Sequence, residues 1–90
     1  MPFVASRSGA TGQFWGQVRF TPNGANQVVV LQMKPSKNAA WQNVGGPIQV
    51  TSYVGFWEAQ APAQTGQTWR AVWVSPDFSS TQASREIVLK

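Results

Sequence analysis

The chain contains no cysteine and no histidine. The first absence excludes a disulfide framework and any thiolate metal site. The second removes the commonest general base and the commonest zinc ligand. Acids are nearly as scarce: Glu58, Asp77 and Glu86 are the only three in 90 residues. No segment approaches the ~20 consecutive apolar residues of a membrane span. The opening Met-Pro-Phe-Val-Ala-Ser-Arg lacks the apolar core of a secretory signal. A chain that starts with Met and carries no tag or linker reads as a small gene product rather than a module cut from a longer protein.

Against the three acids stand seven basic residues, Arg7, Arg19, Lys34, Lys37, Arg70, Arg85 and Lys90, for a net charge of +4. They are scattered singly, without the clustered basic face that nucleic-acid binding requires, so neither nucleic acid nor membrane is an expected partner. Ninety residues make one domain, 1–90, which buries roughly 60–65% of its unfolded surface. Gln and Asn are frequent and Lys is rare, a composition common in proteins that stay docked in an assembly or work outside the cell.

Turn residues recur every eight to twelve positions: Ser8-Gly9, Thr11-Gly12, Pro22-Asn23-Gly24, Pro35 to Asn38, Gly45-Gly46-Pro47, Gly55, Pro62 with Gly66, and Pro76-Asp77. Short runs rich in Val, Ile, Thr, Phe and Trp lie between them. This spacing predicts an all-β sandwich or barrel. The runs cover 3–7, 13–21, 27–34, 40–44, 47–53, 56–61, 68–75 and 84–90. The fourth is expected to continue into the fifth across a Gly-Gly bulge, which leaves seven strands.

Alternation assigns the faces. In Gly66-Gln-Thr-Trp-Arg-Ala-Val-Trp-Val74, Trp69, Ala71 and Trp73 share one face, and Arg70, Val72 and Val74 the other. Two indoles side by side need a thick apolar layer to receive them, so an opposing sheet is required. The expected core is Phe14, Val18, Phe20, Val29, Leu31, Trp41, Trp57, Trp69, Ala71, Ile87 and Leu89. At ~1.5–3 kcal/mol for each fully buried large side chain, these residues dominate the folding energy.

Gly16-Gln-Val, Val29-Val-Leu-Gln32, Trp41-Gln-Asn-Val44, Gly55-Phe-Trp57, Gly66-Gln-Thr-Trp-Arg-Ala-Val-Trp73 and the terminal Ile87-Val-Leu occur in that order. The series resembles bacterial and phage immunoglobulin-like, or fibronectin type III-like, modules over residues 12–90. The resemblance implies an antiparallel seven-stranded immunoglobulin-like β-sandwich. Two positions depart from the family pattern: Trp57 replaces a Phe, and Trp69 replaces a Tyr. That Tyr often anchors a corner through its hydroxyl, whereas Trp69 can only donate from its indole nitrogen. Core packing is therefore the expected role of Trp69. The resemblance also implies a non-catalytic module: a spacer, an adhesion or carbohydrate-associated unit, or a decoration on a phage capsid or tail.

The residues agree with an absence of chemistry. Parity turns Glu58 and Glu86 outward, away from the shared cleft that a two-carboxylate hydrolase needs. Asp77, in Ser75-Pro-Asp-Phe-Ser79, reads as a turn residue, and calcium would demand several more oxygen ligands. Without a histidine the serines have no triad base. No catalytic, cofactor-binding or metal-ligating residue is expected. Trp15, Phe56, Tyr53 and Phe78 fall on outward faces or in loops, and Val28, Val30, Val72, Val74 and Val88 add apolar area there. The interface candidates are Trp15, Arg19, Phe56, Arg70, Val72 and Val74. The expected partner is a protein of a larger assembly, such as a capsid or tail protein or a like module, with a second copy as a further possibility. The expected location is a virion surface, or alternatively the outside of a bacterial cell.

Overall fold

The computed structural model describes residues 3–18, 27–50, 55–74 and 81–90. These form eight antiparallel strands and no helix: β1 Phe3–Ser8, β2 Thr11–Gln17, β3 Gln27–Lys34, β4 Gln42–Val50, β5 Phe56–Pro62, β6 Thr68–Val74, β7 Thr81–Ala83 and β8 Ile87–Val88. β1, β2 and β5 make a three-stranded sheet in that order. The other sheet runs β4-β3-β6-β7, and β8 also pairs with β6.

Alternation places the large apolar side chains of each sheet on the face turned to the other. Phe3, Phe14, Val18 and Trp57 come from the three-stranded side, and Val29, Leu31, Val50, Trp69, Ala71 and Leu89 from the five-stranded side, into one continuous core. Phe3 stacks on Phe14 and on Trp57, with ring centres 6.2 and 6.0 Å apart. Phe14 crosses the sandwich to meet Trp69 at 4.3 Å. Of the core expected from the sequence, Phe14, Val18, Val29, Leu31, Trp57, Trp69, Ala71 and Leu89 are buried, and Ile87 packs against them partly buried. Phe20 lies outside the described residues.

Trp41 is the exception. It was expected in the core, but its ring lies under the Arg70 guanidinium on the opposite, outer face of the sheet. In the β3–β4 hairpin Met33 faces Gln42 and Gln32 faces Asn43, so Trp41 shares the side of Lys34 and Gln32. Val44, of opposite parity, packs against the core instead.

Two irregularities shape the sheet edges. Between Val29 and Leu31 the β3–β4 register shifts, because Gly45-Gly46-Pro47 occupies the β4 side opposite Val30. This is the expected Gly-Gly bulge, and it makes one strand of two predicted runs. On the far edge, β7 pairs Val72 with Ala83 while β8 pairs Thr68 with Val88, a slip of one residue. Ser84 fills the slip: its N–H donates to the Ala71 carbonyl at 2.8 Å, and its hydroxyl accepts from the Ala71 N–H at 2.9 Å. The run expected at 84–90 holds only β8, while β7 at Thr81–Ala83 lies outside every expected run, which is why eight strands appear where seven were expected.

Candidate interaction surfaces

The outer face of the three-stranded sheet carries an apolar cluster at one end. The ladder sets Val4 opposite Trp15, Trp15 opposite Glu58, and Gln17 opposite Phe56. Diagonal neighbours on one face lie within reach of aromatic side chains, so Phe56 falls beside Trp15. Phe56 is 46% exposed and Val4 37%, while Trp15 is half-buried. Toward the other end the face turns polar, with Ser6 opposite Gln13 and Gln13 opposite Gln60.

The outer face of the five-stranded sheet is built differently. Val28 faces Val74 and Val30 faces Val72, all half-buried. Next along the same face Gln32 faces Arg70. Arg70 Nε donates to Gln32 Oε1 at 2.8 Å, and Gln32 Nε2 donates to Asn43 Oδ1 at 3.0 Å. The guanidinium carbon sits 4.1 Å from the centre of the Trp41 ring, and Lys34 Nζ lies 4.9 Å from the same ring. Lys34 also approaches Glu86 at 3.9 Å, a loose ion pair of little energetic weight. This network fixes the direction of the Arg70 side chain and covers Trp41, which leaves that indole a poor platform for stacking a sugar ring.

The sequence-derived candidates therefore divide. Trp15 and Phe56 lie on one outer face of the sandwich; Arg70, Val72 and Val74 lie on the other. Arg19 lies outside the described residues, as do Tyr53, Asp77 and Phe78. The Arg70–Trp41 stack was missed. The signal that could have found it is hairpin parity, which aligns Trp41 with Lys34 and Gln32.

Glu58 and Glu86 do not converge. Glu58 is exposed on the three-stranded sheet, and Glu86 pairs with Lys34 on the other side of the sandwich. Among the described residues no three acidic, cysteine or histidine side chains are close enough to hold a metal ion. No family model, curated protein or solved structure matches the chain.

A cation resting on an indole contributes ~0.5–1 kcal/mol at an exposed site. A double-mutant cycle of Arg70→Met and Trp41→Leu, measured by urea denaturation, is expected to give a coupling of about that size. A coupling indistinguishable from zero would mean that the stack contributes nothing to the stability of the face.

Proposed function

We propose that this chain is a non-catalytic immunoglobulin-like module that works by surface docking, as a decoration on the capsid or tail of a phage particle. The strand arrangement supports the fold part of this reading. The first, second and fifth strands share one sheet, and the third, fourth and sixth share the other with the terminal segments. Taking β7 and β8 as one last strand interrupted at Ser84 gives seven strands in an immunoglobulin-like order.

The observation that carries the docking reading is the Val4–Trp15–Phe56 cluster. Two of its three members are among the most exposed large apolar side chains described. An aromatic pair flanked by amides and a single acid has the make-up of an interface centre with a polar rim. Arg70 serves the opposite face. With its Nε committed to Gln32 and its guanidinium over the Trp41 ring, it is a held cation suited to an acidic group on a neighbour. One flat contact cannot use both faces, so Trp15 and Phe56 are assigned to the shell contact.

Quantitative mass spectrometry of particles purified from the source culture is expected to find the chain in many copies per particle. The double variant Trp15→Ser, Phe56→Ser is expected to fold and to be lost from the particles. A chain absent from every particle fraction would sink this reading. Binding on a sugar array that disappears with Trp15→Ala would favour instead a carbohydrate-binding or spacer module of a secreted bacterial protein.

A further inference from the structure

A β-sandwich has four sheet edges, each with a row of backbone groups open to pairing. Three of the four are blunted here. The outer edge of β4 is broken by the Gly45-Gly46-Pro47 bulge. The β7–β8 edge is broken at Ser84. The β1 edge is capped by Arg85, whose Nε donates to the Phe3 carbonyl at 3.2 Å. β5 alone is a regular, seven-residue strand with no strand paired to its outer edge among the described residues.

The ladder shows which groups of β5 are open. Val18 N–H donates to the Gly55 carbonyl, and Ala63 N–H to the Ala10 carbonyl. Bonded pairs alternate along an antiparallel ladder, so Trp57, Ala59 and Ala61 also turn their backbone groups to β2. The N–H groups of Phe56, Glu58 and Gln60, and the carbonyls of these residues and of Pro62, therefore point away from β2. Pro62 fits this parity, since a proline is tolerated in a strand where its missing N–H would have faced outward. The same count predicts that the Phe3 carbonyl faces outward on β1, where Arg85 is found.

We infer that β5 is a homodimerisation edge: it pairs antiparallel with β5 of a second copy, about a two-fold axis at Ala59. The overlap of the full strand with itself sets Glu58 against Gln60 of the copy and Phe56 against Pro62 of the copy. In this register every hydrogen-bonded pair is made by the residues whose backbone groups point away from β2. About six backbone hydrogen bonds close the joint. The two Glu58 carboxylates are kept from facing each other, which a two-residue shift of register would force.

Charge placement favours a second copy as the occupant. Neither β2 nor β5 carries a basic residue. Of the basic residues described, Lys34, Lys37, Arg70, Arg85 and Lys90 belong to the five-stranded side or its turns, and Arg7 ends β1. Two copies joined at β5 meet along their least positive elements, with the cationic faces held apart. The axis stands perpendicular to the sheet, so both Trp15–Phe56 clusters look to the same side of one six-stranded sheet. The pairing rests on edge geometry and charge placement and stands whether or not the partner is a virion.

The contact is small, so sedimentation should scan protein concentration up to ~1 mM. A reversible monomer–dimer equilibrium is expected. Amide exchange followed by NMR should give Glu58 and Gln60 fast exchange when dilute and protection when concentrated, with Trp57 and Ala59 protected throughout. Gln60→Lys places opposite charges across the joint at both Glu58 positions and should tighten the dimer several-fold. Gln60→Glu places like charges there and should weaken it several-fold. Both changes are on the solvent face and leave the β2–β5 ladder intact. A protein that stays monomeric across the range overturns the proposal. So does a dimer indifferent to both Gln60 variants, or one that leaves the Glu58 and Gln60 amides exchanging freely.

Discussion

Trp69→Ala is expected to lower stability by about 4 kcal/mol, and the thermal midpoint by roughly 15–30 °C. Small domains hold only ~5–15 kcal/mol in all, so this one change removes a large share. Trp69 is fully buried. It sits mid-sheet, opposite Met33 on one side and Ile87 on the other, and its ring meets Phe14 from the facing sheet at 4.3 Å. Truncation would leave a cavity between two sheets that their ladders hold in place. Trp69→Phe tests the other half of the account. The buried indole nitrogen has no hydrogen-bond partner, and an unsatisfied buried donor costs about 1–3 kcal/mol. Phenylalanine loses volume but also removes that donor, so a net loss of about 1 kcal/mol is expected. Chemical denaturation of both variants, with unchanged m-values, checks the pair. If Trp69→Phe were as damaging as Trp69→Ala, the indole nitrogen would have to be satisfied by something other than the protein.

The alternation around Trp69 makes most of this core legible in the sequence alone. Within a strand, parity depends only on the pleat, and it placed Phe14, Leu31, Trp57, Trp69 and Leu89 correctly. It was less informative at strand ends. Phe3, Val50 and Ala63 are buried, yet none is bracketed by an alternating pattern long enough to mark it. Trp41 lies just ahead of β4, so its face is set by the pairing of Gln42 with Met33 rather than by an alternation of its own run. The candidate surfaces were legible residue by residue but not as surfaces. Alternation tells which residues of β2 or β6 look outward. Whether those two strands share a sheet depends on the pairing of β2 with β5 and β3 with β6, and these contacts join segments about forty residues apart. Splitting Trp15 and Phe56 from Arg70, Val72 and Val74 therefore required the topology. So did the distinction between a blunted edge and an open one: the cap on β1 is a single bond from Arg85, distant in the chain from Phe3.

Gly55→Ala is expected to cost about 3 kcal/mol or more. Two effects combine at this position. Its φ of +78° lies in the left-handed region, where a side chain costs ~1–2 kcal/mol. A Cβ there would also stand 2.0 Å from the Val18 carbonyl oxygen, a backbone atom that cannot swing aside like a side-chain tip. Gly66→Ala separates the two effects. Gly66 has a φ of +92°, but a Cβ built on it meets nothing within 4 Å, so that change should show the conformational term alone. The excess cost at Gly55 then measures the close approach of β2 to β5. That approach carries the Val18 N–H to Gly55 carbonyl bond at 2.8 Å, the first rung of the ladder that aligns Phe56 with Gln17 and Trp15 with Glu58. Thermal denaturation gives both costs, and amide exchange at Val18 reports whether the rung has opened. Equal losses at Gly55 and Gly66 would mean that the two strands can part there without penalty, and the apolar cluster would then lose the rigid base on which its docking role depends.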